Sequence, residues 1–317
     1  MFSIDCKGVG DMLKLPVIVA PMFLVSNPEM VIESGKAGVI GTFPLLNARP
    51  VSKCAEWLHQ VKVGLGDMPW GVNFICHKKA NQRYGDDLEL IREYEPPIVI
   101  TSLGHPGEVV EVVHAYGGKV YSDVANVRHA SKAAQTGVDG LILVCAGAGG
   151  HGGLLNPFAF VSAVKKFYDG TIILSGAMSS GADVAAARAM GADYAYLGTR
   201  FLAAEESGAF EDYKQMVIDS TVADIIYTDA ISGVPANFLT PSLVKQGLDP
   251  ENLKGTSGKL DFSGEDEIKA WRDAWSAGQG VTNVTERETV AEIVEKLADE
   301  YETTIARLSE DRSGIVH

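Results

Sequence analysis

The sequence predicts an α/β chain folded as a (β/α)8 barrel, with a helical and irregular extension at its C-terminal end. Two observations predict the barrel. Eight short apolar runs occur within roughly the first 200 residues, the span such a barrel needs at its smallest. They are Pro16–Ala20, Gly38–Phe43, Trp70–Ile75, Ile98–Ser102, Lys119–Val124, Gly140–Cys145, Thr171–Ser175 and Tyr194–Gly198. Each is bounded by Gly, Pro or polar residues and reads as a buried strand. Their starts lie about 20–33 residues apart, the length of one strand–helix unit. The second observation is a repeated junction, seen at Ser34-Gly35-Lys36-Ala37-Gly38-Val39-Ile40, Thr136-Gly137-Val138-Asp139-Gly140-Leu141-Ile142 and Met190-Gly191-Ala192-Asp193-Tyr194-Ala195-Tyr196. Each reads as a helix end, a glycine stop and a strand, because glycine enters the left-handed region cheaply after a helix.

Taken in order, the first strand leads into Ala20-Pro21-Met22-Phe23. An open doubly wound sheet, the alternative fold, would carry GxGxxG at that point. Helical patterns fill the gaps between strands, as at Asn126–Thr136 and Gly181–Met190. Ala203–Ser220 reads as a helix that closes the barrel, so the barrel core is placed at residues 1–220 and the extension at 221–317. Thr228–Ser263, rich in Gly, Pro and Asn, reads as a long irregular segment, the kind that often forms a lid over a site. Within it, Gly233-Val234-Pro235-Ala236-Asn237 is either part of that lid or a static turn. Glu265–Trp275 reads as a short helix, and Thr285-Glu286-Arg287-Glu288 as a capping box. The helix it opens carries an apolar stripe of Val290, Ile293, Val294, Leu297, Tyr301 and Ile305. That stripe packs on the barrel, or else forms a homodimer contact.

Composition narrows the function. Lys and Arg total 27 against 41 Asp and Glu, a net charge of −14. That sign argues against nucleic acid or an anionic membrane as partner. No apolar run approaches the roughly 18 residues of a membrane span. Met1–Lys14 carries acidic residues and no long apolar stretch, so no signal peptide is expected. Cys6, Cys54, Cys76 and Cys145 show no CxxC spacing. The expectation is a reduced cytoplasmic protein with no zinc site, in which Cys76 and Cys145 are small core residues.

In a barrel of this kind, the active site lies where strands end and βα loops begin. The seventh strand leads into Ser175-Gly176-Ala177-Met178 and the eighth into Gly198-Thr199-Arg200. Small residues there let backbone N–H groups approach an anion, and the helix N-termini that follow favour negative charge. Loops after strands seven and eight are the common phosphate site of the fold. The sixth strand leads into Ala146-Gly147-Ala148-Gly149-Gly150-His151-Gly152-Gly153, a bare backbone against which a flat ligand can lie, with one imidazole in reach. Histidine suits proton transfer near neutral pH. His105, in Gly104-His105-Pro106-Gly107, is the rival base. Asn73 ends the third strand and can meet a heterocycle edge. Asp123 ends the fifth, where it binds a ribityl hydroxyl or caps the next helix. Phe23, Phe74, Met178 and Phe238 are candidates for an apolar pocket wall or for core.

At this point the sequence resembles the nitronate monooxygenase family, formerly the 2-nitropropane dioxygenases. The motifs that carry the resemblance are Val19-Ala20-Pro21-Met22, Gly71-Val72-Asn73-Phe74, Ala148-Gly149-Gly150-His151-Gly152-Gly153, Ser175-Gly176-Ala177 and Leu197-Gly198-Thr199-Arg200-Phe201. They appear in family order, and the likeness extends through Trp271–Gly280. It implies an FMN-dependent barrel enzyme oxidising alkyl nitronates, and in some members nitroalkanes, with O2 to carbonyl compounds and nitrite. By the same resemblance, Gly176, Ala177, Gly198 and Thr199 hold the FMN phosphate, Pro21, Met22 and Asn73 contact the ring or ribityl chain, Gly149 and Gly150 flank the flavin, and His151 is the catalytic base. Ala20, Ser175 and Asp123, at the ends of the first, seventh and fifth strands, complete the expected cofactor-binding set. Two positions depart from the pattern. Gly147 stands where many relatives have an acid, and Asp123 where some have a base. Flavin-dependent enoyl-acyl-carrier-protein reductases and quinone reductases share the fold, so an NAD(P)H-dependent flavin reductase is the alternative. A non-catalytic phosphate-binding barrel is a third reading, which a yellow purified protein would exclude.

Overall fold

A computed structural model describes residues 13–253 and 271–314. Its centre is an eight-stranded parallel sheet made of β1 (Val17–Val19), β2 (Gly41–Pro44), β3 (Trp70–Ile75), β4 (Ile98–Ser102), β5 (Lys119–Val124), β6 (Gly140–Val144), β8 (Thr171–Ser175) and β9 (Tyr194–Leu197). Neighbours pair in sequence order around the ring, with β6 beside β8, and β9 returning to β1. The seam closes through a parallel bridge between Ile18 and Ile40, where the Val19 amide donates to the Ile40 carbonyl at 2.8 Å. The chain is therefore a (β/α)8 barrel. Four strands run over the predicted bounds. The second starts later than predicted, because Gly38 takes the left-handed turn (φ 88°) while Gly35 lies inside the preceding helix against Leu65.

Around the barrel run α1 (Pro28–Lys36), α2 (Val51–Leu65), α3 (Tyr84–Tyr94), α4 (Gly107–Ala115), α5 (Val127–Ala134), α6 (Pro157–Val164) and α7 (Gly181–Met190). Side chains of a strand alternate between faces. The outward set, with Val17, Val19, Phe43, Val72, Val99, Leu141 and Leu174, forms one buried cluster with the helices. The inward set is a second cluster: Ile18, Ile40, Ile98, Ile100, Tyr121, Ile142, Ile173 and Tyr196. One step further along the same inward face stand Ala20, Ser102, Asp123, Val144, Ser175 and Gly198. Branched and aromatic residues thus give way two positions on to small or polar ones at every strand of this set but β6, which keeps Val144. The barrel is filled in its middle and hollow at the C-terminal ends of its strands.

The chain beyond β9 differs from the expected layout in four places. The helix expected over Ala203–Ser220 is shorter, α8 (Glu211–Asp219), because residues 202–210 turn irregularly over the barrel rim. The described part of Thr228–Ser263 is largely ordered: β10 (Ile225–Thr228), β11 (Ala236–Leu239) and α9 (Thr240–Lys245). β11 is the middle strand of a three-stranded antiparallel sheet whose far edge is β7 (Gly150–His151). Gly233–Asn237 is accordingly neither a free lid nor an isolated turn. Of the helix expected over Glu265–Trp275, residues 271–275 form a turn and an isolated bridge, and the remainder lies outside the described residues. The last helix, α10 (Val290–Gly314), begins after the predicted capping box. Thr289 and Glu292 form the reciprocal cap instead, with the Thr289 amide donating to Glu292 Oε2 at 2.8 Å. Val290, Ile293, Val294 and Leu297 bury against the barrel, chiefly on α7, while Ile305 is 37% exposed. No described helix is long and apolar enough to cross a membrane.

Candidate active site

The hollow end of the barrel is a cavity of about 260 Å³. All thirteen residues singled out from the sequence line it: Ala20, Pro21, Met22, Asn73, Asp123, Gly149, Gly150, His151, Ser175, Gly176, Ala177, Gly198 and Thr199. His105 does not. It is exposed, and its Nδ1 accepts from the Gly107 amide at 3.2 Å. Phe23 and Met178 reach the cavity, whereas Phe74 is core and Phe238 is fully buried beside Trp271.

His151 does not sit on a loose glycine loop. It lies on β7, paired with Ala236 of β11. Its segment is held at five further points. Asn237 Nδ2 donates to the Ala148 carbonyl at 2.6 Å, and the Gly150 amide to Ser276 Oγ at 2.7 Å. The Gln279 amide donates to the Gly147 carbonyl at 2.9 Å. Tyr227 Oη donates to the Gly152 carbonyl at 3.1 Å, and the Ala146 amide to the Leu155 carbonyl at 3.0 Å. The imidazole is half-buried, edge-on to Trp271 with ring centroids 5.0 Å apart. Its Nε2 lies 3.4 Å from Ser232 Oγ, a long contact, and Ser232 itself donates to the Val234 carbonyl. Burial pushes the imidazole below its ordinary range, because the cation is the poorly solvated form. The ring is neutral at neutral pH, as a proton acceptor must be.

On the opposite wall, Ser175–Met178 and Gly198–Arg200 leave β8 and β9. Gly176 and Ala177 both have positive φ, 129° and 56°. For alanine this left-handed conformation costs about 1 kcal/mol, and such strain collects at functional sites. Among the described residues, the amides of Ala177, Met178 and Thr199 donate to no protein group. The end of α7 is another matter. Asp183 accepts from the Ser179 and Ser180 amides, and Glu300 of α10 from the Gly181 amide at 2.6 Å. The expected helix N-terminus is thus already capped, and an anion here would rely on the loop amides upstream. Thr199 Oγ1 accepts from the Gly278 amide at 2.8 Å, which leaves its own hydrogen to donate. Arg200 points elsewhere, buried against Glu288 at 2.7 Å.

The floor carries a polar chain. Asn73 Nδ2 donates to Ser102 Oγ at 2.7 Å, and Ser102 Oγ donates to Asp123 Oδ2 at 2.5 Å. Asp123 Oδ1 is buried with no partner among the described residues. Burial pushes this carboxyl up to about 6, with the Ser102 hydrogen bond pulling the other way. Cys76 and Cys145 are core residues whose thiols burial raises to about 12.

Sequence reasoning missed the closing segment Ser276–Gly280, although the likeness had reached Gly280. An added Cβ on Gly278 would meet the Gly147 carbonyl at 2.6 Å and the Gly149 amide at 2.8 Å. One on Gly280 would meet Ser179 Oγ and the Ala177 carbonyl at 2.9 and 3.0 Å. Two glycines in Ala277-Gly278-Gln279-Gly280 were the available signal. Trp271 and Ser102, which also line the cavity, carried no motif.

Comparison with known proteins places this geometry. The family model for nitronate monooxygenase matches residues 50–300. A nitronate monooxygenase of Paraburkholderia phytofirmans is 25% identical, with 92% of this chain and 94% of that protein covered. A (3aS,4S,5R,7aS)-5-hydroxy-7a-methyl-1-oxo-octahydro-1H-indene-4-carboxyl-CoA dehydrogenase of Rhodococcus jostii is 28% identical, over 76% and 67% of the two chains. Among solved structures, FabK from Thermotoga maritima has a TM-score of 0.78 at 23% identity over 96% of this chain and 98% of its own. A nitroalkane oxidase from Streptomyces ansochromogenes has a TM-score of 0.78 at 23% identity, covering 94% and 99%. The match to the family model spans well over half of the sequence, and the chain belongs to the nitronate monooxygenase family, an enzyme family of oxidoreductases.

Proposed function

We propose that this protein is an FMN-dependent oxidoreductase that oxidises nitronates and nitroalkanes with O2 to carbonyl compounds and nitrite. The observation that carries the reading is the pairing of two walls. A neutral, half-buried His151 on an anchored strand faces the same cavity as a set of backbone donors without acceptors.

The residues present fit FMN. The amides of Ala177, Met178 and Thr199, with the Thr199 hydroxyl, suit a phosphate, since unpartnered N–H groups in a tight turn make an anion concavity. The orphaned Asp123 Oδ1 needs a donor, and a ribityl hydroxyl is one. Gly149 and Gly150 present bare backbone to a flat ring. Bound there, FMN would supply the redox chemistry, while the chain supplies orientation and proton transfer.

His151 is the base. Its neutral ring carries one unprotonated nitrogen, which takes the proton alpha to the nitro group of a neutral nitroalkane. A preformed nitronate needs no such step. His151→Asn keeps much of the shape and removes the base. It should lower turnover of the neutral nitroalkane by about 10²–10⁴-fold and that of the nitronate far less. Equal losses on both substrates would refute the assignment.

A further inference from the structure

Trp271 is the largest side chain lining the cavity, and no step of the reaction above uses it. Its backbone has φ 64°, a left-handed conformation that is an outlier for a bulky residue. The surroundings hold it there. Its amide donates to the Ala274 carbonyl at 2.8 Å, closing a turn. That turn is anchored on β11 and α9: the Leu239 amide donates to the Trp275 carbonyl at 2.8 Å, and the Trp275 amide to Ser242 Oγ at 2.9 Å. One ring packed on the indole is Phe238, fully buried, with centroids 6.2 Å apart. Two others line the cavity with it, His151 at 5.0 Å and Phe23 at 6.3 Å, each nearly perpendicular to the indole. The loop that carries Phe23 is pinned as well. Asn47 accepts from the Leu24 amide at 2.9 Å and donates to the carbonyls of Met22 and Ser26, and the Arg49 guanidinium lies 5.6 Å from the Phe23 ring centroid.

We propose that Trp271 is a specificity-determining residue: with Phe23 it walls the space beside His151, so that the carbon presented to the base carries a short, unbranched alkyl chain. This deepens the functional reading above and rests on it. Aromatic rings at these separations are in contact, so Phe23, Trp271 and His151 form a continuous wall with no slot between them. All three are half-buried, which puts the wall at the mouth of the cavity, away from the buried polar floor. The buried Phe238 leaves the indole little room to swing away from the cavity, and the anchored turn fixes its backbone. A strained conformation held from several sides is the arrangement expected where strain serves a site. The wall carries no charge. It therefore acts on the alkyl part of the substrate alone and treats a nitroalkane and its nitronate alike. What it restricts is bulk at the reacting carbon.

The test compares nitroethane with nitrocyclohexane on the FMN-loaded enzyme, each as the neutral compound and as the preformed nitronate, by kcat/KM for nitrite release. The wild type should prefer the ethyl compound in both forms. Trp271→Gly keeps the left-handed backbone, which glycine adopts freely, and removes the wall. It should shift the preference toward the cyclohexyl compound by at least about tenfold, the discrimination that a single methylene commonly commands in an apolar pocket. The shift should be the same for nitroalkanes and nitronates. Trp271→Phe should shift the preference in the same direction by less, and it serves as the test if the glycine variant does not fold. If Trp271 only steadied the imidazole, both variants would lose activity on the neutral compounds of either size, spare the nitronates and leave the size preference unchanged; that result would overturn the inference. A wild-type preference for the cyclohexyl compound, lost in the variants, would overturn it too, because the indole would then be a platform and not a barrier. A wild-type flavoprotein that oxidises neither compound in either form would overturn the functional reading itself.

Discussion

Substituting Gly278 with alanine tests whether the extension completes the cofactor site. The backbone of Gly278 is ordinary, with φ −89°, so the substitution acts through contact alone. Its new methyl would lie 2.6 Å from the Gly147 carbonyl, 2.8 Å from the Gly149 amide and 3.2 Å from Thr199 Oγ1. Two of these are backbone atoms, which cannot rotate aside. Either residues 276–280 lift away or the glycine segment of β7 shifts, and both moves stretch the Gly278-to-Thr199 and Gln279-to-Gly147 hydrogen bonds. Overpacking of this kind costs about 1–3 kcal/mol. If the cost falls on the bound form, FMN affinity drops by roughly 5–150-fold. Titration of apoprotein with FMN, followed by quenching of flavin fluorescence, reads this directly. Gly85→Ala in α3 is the control. Nothing lies within 4 Å of the added methyl, and a helical alanine should stabilise by about 0.5–1 kcal/mol without touching FMN affinity. Wild-type FMN affinity in Gly278→Ala would refute the idea that the closing segment shapes the site.

Three further outcomes follow from the same geometry. Because burial lowers the His151 imidazole, kcat/KM for the neutral nitroalkane should hold at pH 7 and fall only as pH drops through a value below 6.5, measured in a pH–rate profile. On the opposite face of the barrel, burial would raise Asp139, but the Val120 amide, His114 and Lys119 together hold its carboxyl below the usual range. Asp139→Asn should therefore lose about 1–3 kcal/mol at pH 7 by urea unfolding. That gap should close as pH falls through the folded value, below about pH 4, where the wild-type carboxylate is also protonated. Cys54, Cys76 and Cys145, all buried with thiols raised to about 12, should resist iodoacetamide in the native protein and react after unfolding.

The barrel was legible in the sequence because its strands are short apolar blocks with clean stops, and because Gly137 and Gly191 mark two of the helix-to-strand junctions by taking positive φ. The site was legible for a related reason. In this fold the reacting residues gather at the C-terminal ends of the strands: Gly198 directly follows β9, Ser175 closes β8, and Asn73 and Asp123 lie within the last three residues of β3 and β5. Ser102 also ends a strand, but a serine in Thr101-Ser102-Leu103 carries no chemical signal until Asp123 lies beside it. The extension was harder to read because its order is non-local. β11 pairs on one side with β10 and on the other with Gly150–His151, more than 80 positions earlier in the chain, as the register Ala236 to His151 records. No local pattern in Gly233–Asn237 encodes that partner. The predicted cap at Thr285 failed for a different reason: Thr289 and Glu292 offer the same chemistry four residues later, directly before the buried stripe begins.

The most direct test of the account is an anaerobic absorbance experiment on the purified, FMN-loaded protein. Nitroethane is added to one sample, and NADH or NADPH to another. The account predicts that the nitro compound reduces the flavin, that His151→Asn slows this reduction, and that neither nicotinamide reduces the flavin at a comparable rate. Rapid bleaching by a nicotinamide, with no response to nitroethane or ethylnitronate, would contradict it and make the protein a flavin reductase.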